Sequence, residues 1–385
     1  MRSHAATQTK ISELCFYDKW FVFAVLSILI IGMLMMTSAS IVISDKQMHQ
    51  PFYFLMKQLI FLMLGTLLGC IVLQLKIKTW EKWGGYILLA VMLMLSLVLI
   101  PGIGHRVNGS ARWLGIGSLG FEVSELAKFA VVVFMAGYLV RRNDEIQMRL
   151  TGFLKPMLIL VVVGVLLLRE PDFGATVVVV ATSLGMMFMA GMRLRHFVAL
   201  FLSVIGLLAI IAVSAPYRLA RLTGFLNPWL RPFDTGYQLT QSLIAFGRGG
   251  WFGVGLGKSI QKMFYLPEAH TDFLFAVIAE ELGLVGMFLV MSLFSLLVIR
   301  IMVIGRRAQR LGRHFAGFLA YGFGLWLSIQ FIVSIGVNSG LLPTKGLTLP
   351  LMSYGGSSVL VNCIVIAVLL RIDYENRLTA LGVSY

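Results

Sequence analysis

Apolar runs separated by short polar stretches extend along almost the whole chain. A helix needs ~20 residues to cross ~30 Å of hydrocarbon. Runs near that length fall at about 20–43, 53–75, 84–100, 121–140, 156–168, 173–191, 197–215, 273–304, 315–337 and 357–371. The pattern predicts an all-α integral membrane protein, a polytopic bundle of about ten transmembrane helices in one domain over 1–385. A short N-terminal arm (1–19), a long loop at about 216–271 between spans seven and eight, and a C-terminal tail (372–385) complete the layout. The fifth run is short and meets the sixth through the tight "REPD" at 169–172, where two spans could be read as one. The first run is too long for a signal-peptide core and lacks a convincing cleavage site, so it is expected to stay as an anchor.

Composition narrows the class. With 58% hydrophobic and 13% charged residues and a mean hydropathy of +0.89, a water-exposed surface would be one continuous apolar patch, which excludes a soluble domain. With the N-terminus inside, about 19 Lys and Arg fall in cytoplasmic segments such as "KIKTWEK", "RRNDEIQMRL" and "GRRAQRLGRH", and about 5 in the short outer loops. The positive-inside rule then places both termini in the cytoplasm. The basic balance belongs to membrane loops, so membrane lipid is the expected neighbour and a nucleic acid is not. Cys15, Cys70 and Cys363 show no paired spacing and read as small core residues. The six histidines contain no pair at helical ligand spacing, so no zinc site is expected.

The long loop breaks the charge rule. It carries Arg218, Arg221, Arg231, Arg248, Lys258 and Lys262 against Asp234, Glu268 and the boundary residue Asp272. Long loops translocate largely regardless of charge; alternatively, these cations face an anionic ligand at the outer leaflet, such as a phosphorylated lipid. Within the loop, "GRGGWFGVGLGKS" at 247–259 ends like a phosphate-binding loop, but Phe252 stands where the first glycine must be and no strand precedes it. Its glycines suit a close-packed irregular segment, whose exposed amides could still hold an anion. The "DFG" at 172–174 lies between spans without a kinase catalytic loop and is a chance match.

Polar residues inside spans are the remaining signals, because an acid at the bilayer centre costs ~2.5–3.5 kcal/mol on insertion scales and therefore faces protein or a water-filled cavity. Glu125 and Lys128, three apart in "FEVSELAKFA", meet on one helix face. They are either a self-neutralising pair or the lining of a cavity in which Lys128 meets a phosphate. In "YLPEAHTDFLFAVIAEELGLVG", Asp272 stands at the threshold of a span and Glu280 and Glu281 lie within it. At 100° per residue, Glu280 is rotated about 80° and Glu281 about 180° from Asp272, so the three do not form a triad. Glu280 also lies ~12 Å deeper, which suits internal hydrogen bonds or a deep ion pair. Asp272 is open to two readings: a helix cap favoured by the dipole, or a base reached by water and kept at low pKa by Arg248, Lys258 and Lys262 nearby in sequence. Outer segments "GSARWLGIGS", "REPDFGAT" and "NSGLLPTKGLTLPLMSYGGSS" are rich in glycine, proline and small hydroxyl residues. Irregular backbone of that kind near membrane depth implies a single outer-facing pocket fed from several loops.

Taken together, "NGSARWLGIGSLGFEVSELAKF", "EPDFGAT", "GYQLTQSLIAFGRGGWFGVGLGKSIQKMFYLPEAHTDFLFAVIAEELG" and "GLLPTKGLTLPLMSYGGSS" resemble the SEDS family, the shape, elongation, division and sporulation proteins. "YLPEAHTDF" and "PTKGLTLP" are closer to its division branch than to its elongation branch. The resemblance implies a peptidoglycan glycosyltransferase that polymerises lipid II at the outer face of the bacterial inner membrane during septal wall synthesis. It implies partnership with a class B penicillin-binding transpeptidase and other divisome membrane proteins. The family's catalytic aspartate falls on Asp272 and its polar pair on Glu125 and Lys128, while Arg112 and Lys345 occupy polar positions of its outer loops. Arg248, Lys258, Lys262 and His270 complete the expected substrate contacts. One carboxylate suffices for such a transfer: a lipid diphosphate leaves unprotonated if Lys and Arg, or a divalent ion such as Mg or Mn, steady its charge. The chief rival is a lipid II flippase, since a polar cavity inside ten spans suits a headgroup in transit; no inverted repeat of the kind many transporters show is apparent.

Overall fold

Among the described residues ten long helices carry the chain, and they correspond one for one to the ten predicted runs. They are α1 (Lys19–Met48), α2 (Tyr53–Gln74), α3 (Ile77–Val98), α4 (Val123–Arg141), α6 (Thr151–Arg169), α7 (Phe173–Met189), α8 (Leu194–Val213), α10 (Leu274–Arg310), α11 (His314–Asn338) and α12 (Gly356–Ala380). Two shorter helices intervene, α5 (Asn143–Met148) and α9 (Tyr237–Gly249). The computed structural model describes residues 17–107, 110–116, 119–148, 151–213, 224–234, 236–343 and 346–382. Seven of the helices, α1 to α4 and α10 to α12, are long and apolar enough by themselves to cross a bilayer. The protein is a polytopic membrane protein.

Burial ranks the helices. The apolar stretch of α4 is 83% buried and that of α12 72%, against 22% for α2, so α4, α11 and α12 form the centre and α2 and α3 the lipid-facing rim. Several helices outrun their apolar stretch. α3 begins at Ile77 instead of about 84, α10 runs to Arg310, and α12 continues to Ala380 through what the hydropathy pattern assigned to the tail. Backbone hydrogen bonding does not stop at the hydrocarbon edge, and the polar ends are held by ion pairs. Arg300 of α10 meets Asp18, which caps α1, and Arg313 meets Glu375 of α12. Arg371 Nε lies 2.8 Å from Glu375 Oε1, and Arg377 Nε 3.0 Å from Asp373 Oδ2. Hence the start of α1 and the end of α12 lie at the same end of the bundle.

The opposite end departs from the all-α expectation. A small antiparallel sheet of order β1-β2-β3 fills the connection between α3 and α4: β1 (His105–Val107), β2 (Ser110–Ile116) and β3 (Leu119–Glu122). β2 and β3 pair Trp113 with Glu122 and Gly115 with Gly120. A Cβ on Gly120 would come within 3.0 Å of the Trp113 ring, so glycine lets the ring lie on the partner strand. β3 runs directly into α4.

At this sheet end, α10 is broken ten residues beyond its N-cap, at Gly283 (φ 65°, ψ −160°). The backbone groups released there are taken by the segment after α9. Val254 N–H donates to the Glu280 carbonyl (2.9 Å) and Gly255 N–H to that of Glu281 (3.1 Å), while Leu284 and Val285 N–H donate to the carbonyls of Gly250 (3.0 Å) and Trp251 (3.1 Å). Broken backbone inside a membrane protein survives only where protein satisfies it. The glycines of "GRGGWFGVGLG" permit the approach: a Cβ on Gly249 would lie 1.9 Å from the Ala279 carbonyl oxygen, and one on Gly253 2.1 Å from that of Glu281.

Candidate active site at the sheet end

Asp272 occupies a tight turn immediately before α10. Thr271 and Phe273 N–H both donate to the Glu268 carbonyl (3.2 and 3.1 Å), with Glu268 itself at φ 56°. The turn is gripped from outside by Tyr354 N–H, which donates to the His270 carbonyl (2.9 Å), and by the His270 ring, buried against Phe54 and Tyr354. His270 is thus a packing residue of the turn. The N-cap position of α10 is Phe273, and no side chain of this segment caps the helix. Asp272 therefore does not act as the cap. Its carboxyl points instead at Gly346, where a Cβ would lie 2.8 Å from Oδ2.

Arg112 of β2 reaches across to the turn between α6 and α7, its Nε donating to the Glu170 carbonyl (3.2 Å) and its Nη2 to the Pro171 carbonyl (2.8 Å). Glu122, at the end of β3, is tied by its N–H to Ser357 Oγ (2.8 Å) and by its carboxylate to the Ser124 hydroxyl (3.2 Å). On α4, Lys128 Nζ lies 2.8 Å from Glu125 Oε1 and 2.9 Å from Gln330 Oε1, over the Trp326 ring. Gln330 in turn donates to the Thr348 carbonyl (2.9 Å), and Leu347 packs against Gly174. The outer segments singled out in the sequence thus converge at this end of the bundle.

Among the described residues its charge is the reverse of the expected positive pool. Arg248 and Lys262 turn away to other partners: Arg248 Nη1 sits 3.2 Å from Glu280 Oε1, and the buried Lys262 Nζ sits 2.7 Å from Glu281 Oε1 and 2.9 Å from Ser38 Oγ of α1. Lys258 is exposed. Lys345, Arg218 and Arg221 lie outside the described residues. Among the described residues, the charged groups that act on Asp272 are Glu268, Asp172 and Arg112. In consequence the pKa expectation is overturned. Burial, then Glu268, push the Asp272 carboxyl up to about 7, and Arg112 opposes them. Burial likewise lifts Glu122 to about 8, with Glu125 and Asp172 adding to it, and Glu170 to about 8, with Asp172 adding. Both Glu170 oxygens are fully buried with no hydrogen-bond partner. Among the described residues no three His, Cys, Asp or Glu side chains converge as a metal ligand set.

The amides of the glycine-rich loop do hold anions, and these are the protein's own. Ser259 N–H donates to Glu281 Oε1 (3.3 Å), and Ile260 and Gln261 N–H donate to the two Glu280 oxygens (3.1 and 3.3 Å). Both glutamates are fully buried and serve the bundle. Glu122, Glu170 and Asn338 are site residues that hydropathy did not single out. The "EPD" acids at a turn and the acid three before Glu125 were the available signals for the first two; Asn338 carried none.

The sequence pattern of the cell cycle protein family that includes FtsW, RodA and SpoVE matches residues 19–378. The chain belongs to that family. Among its relatives, a protein of Legionella pneumophila named a probable peptidoglycan glycosyltransferase FtsW is 57% identical over 95% of this chain and 93% of its own length. One of the same name from Coxiella burnetii is 55% identical over 94% and 97%. Two solved structures share the fold. A chain from a peptidoglycan synthase complex, described for its coordination of polymerization and crosslinking, superposes with a TM-score of 0.78 at 29% identity, covering 94% of this chain and 99% of the other. The rod shape determining protein RodA of Thermus thermophilus superposes with 0.70 at 27% identity, covering 95% and 99%.

Proposed function

We propose that this protein is a peptidoglycan glycosyltransferase that polymerises lipid II into glycan strands for septal wall synthesis in cell division, with Asp272 as its general base. One observation carries the assignment of the base: a carboxyl at a helix threshold that caps nothing and titrates near 7, in a chain whose relatives bear that name. General-base catalysis is most effective when the base's pKa lies near the working pH. In the step, the Asp272 carboxylate takes the proton of the acceptor sugar's 4-hydroxyl as that oxygen attacks the donor's anomeric carbon. The bond from that carbon to the undecaprenyl diphosphate oxygen breaks, and its electron pair leaves with the diphosphate. A single displacement inverts the carbon. Arg112 and Lys128 are the described cations of the site, and the exposed Lys258 is a further candidate; Lys345 stays a candidate on its place in the sequence alone. Excess carboxyls do not repel the substrate as strongly as their number implies, because burial keeps Glu122 and Glu170 largely protonated at neutral pH.

The sheet end then faces the periplasm and both termini lie in the cytoplasm of the inner membrane at the septum, a placement supported by the Lys and Arg distribution. A class B penicillin-binding transpeptidase is the proposed partner, supported by the synthase complex with which the fold superposes. The test is polymerisation of lipid II by purified protein in detergent, where no leaflets exist to cross, with and without that partner. Glycan chains from the native protein and none from Asp272→Asn support the reading; full activity of Asp272→Asn overturns it.

A further inference from the structure

Asn338 closes α11, and its side chain is fully buried. Its amide nitrogen donates to the Asp272 carbonyl (2.9 Å) and to the Ser334 carbonyl (2.8 Å), and its amide oxygen accepts from Ala276 N–H (3.1 Å). Its own carbonyl accepts the Ser242 hydroxyl of α9 (2.6 Å). Ala276 N–H lies in the first turn of α10, where its backbone partner is the Phe273 carbonyl (3.0 Å), three residues back, and it is shared with a side-chain acceptor. An Asp or Asn just ahead of the helix usually satisfies such a donor, and Asp272 is the acid in that neighbourhood. Had Asp272 done so, its carboxylate would be folded back on the helix, with its pKa lowered by the amide bond. The side-chain share of this donor is taken instead by Asn338 Oδ1, from a different helix.

We propose that Asn338 is a positioning residue for Asp272: it caps α10 in trans and grips the Asp272 carbonyl, leaving the Asp272 carboxyl turned off the helix and aimed at Gly346 and the substrate. This deepens the general-base reading and rests on it. The charged groups facing Asp272 are Glu268 on its own turn, Asp172 from the turn between α6 and α7, and Arg112 from β2; Asn338 adds no charge to them, so its effect on Asp272 runs through hydrogen bonding alone.

The test measures kcat, KM and the pH profile of lipid II polymerisation for the native protein, Asn338→Ala and Asn338→Asp, with thermal unfolding of each. In Asn338→Ala the side-chain position at Ala276 N–H, which keeps its bond to the Phe273 carbonyl, opens to Asp272, and the Asp272 carbonyl loses its grip. The plateau kcat falls roughly 10–100-fold, as a misplaced catalytic group does, KM stays within about threefold, and the midpoint of the acid limb moves down by about one pH unit. Asn338→Asp keeps the shape and the acceptor for Ala276 but adds a carboxyl beside the turn, so kcat falls and the midpoint moves up. Opposite shifts from one position are not expected of a residue that only holds the fold. If Asn338→Ala does not fold, the Asn338→Asp shift decides. Unmoved midpoints, with activity lost only in proportion to folded protein, overturn the proposal, as does native activity in either variant. Activity retained by Asp272→Asn would instead remove the base reading itself, so the two failures are distinguishable.

Discussion

Asp272 and the Glu280–Glu281 pair lie within ten residues of one another at the start of α10, yet they answer burial in opposite ways. Each glutamate is saturated: Glu280 takes Arg248, the Ser259 hydroxyl and two backbone amides, and Glu281 takes Lys262, Ser38 and the Ser259 amide. Asp272 has a half-buried carboxyl, two carboxylates and one guanidinium acting on it, and no cap bond. A buried carboxylate with every oxygen engaged holds structure together. One deprived of partners sits near neutrality and is free to move a proton.

Four experiments break or sharpen that contrast. The largest expected effect is on rate: Asp272→Asn lowers lipid II polymerisation by about 10²–10⁴-fold, while thermal unfolding shows the protein still folded. Its folded pKa is raised, so the native carboxyl contributes stability only at low pH and loses it as pH rises toward 7. Above pH 7, Asp272→Asn should therefore unfold at a higher temperature than the native protein, and the gain should vanish in acid.

The glutamate region should respond in stability. Lys262→Met strands Glu281 in the interior, and breaking a buried pair from one side costs about 3–5 kcal/mol. The double variant Lys262→Met with Glu281→Leu should recover much of the lost unfolding temperature; failure to recover would mean that the pair does more than neutralise itself.

A third test uses the described cation that acts on the base. Arg112 lowers the Asp272 pKa, so Arg112→Gln should raise it, moving the acid limb to higher pH and cutting activity at pH 6.5 more than at pH 8.5. A uniform loss across pH would assign Arg112 to substrate binding alone. The smallest change is Gly346→Ala, whose methyl would meet Asp272 Oδ2 at 2.8 Å. The carboxyl can swing aside, so the unfolding temperature should scarcely move while kcat drops severalfold.

Much of this was legible in the residues. The ten helices follow from the length of the apolar runs, and the internal role of Glu280 and Glu281 follows from helix rotation and depth. The sheet between α3 and α4 was missed although "NG" at 108–109 is a hairpin dipeptide, because three short strands give too few alternating positions to stand out against long spans. The positive pocket was misread for a different reason. Arg248 and Lys262 are close to Asp272 in sequence, but the break at Gly283 draws their segment alongside α10 to partners below the turn.

Local pattern alone determined that this chain must lie in a membrane, how many times it crosses, and which few polar residues needed an explanation, since hydrophobic transfer depends only on the residues in each run. Which cation meets which acid, and which carboxyl is left without partners, depended on contacts between segments far apart in the chain. Ser38 and Glu281 are 243 positions apart, and Asn338 is 66 from the carbonyl it holds. Electrostatics and hydrogen bonding act over a few ångströms of space, and only the folded bundle sets those distances.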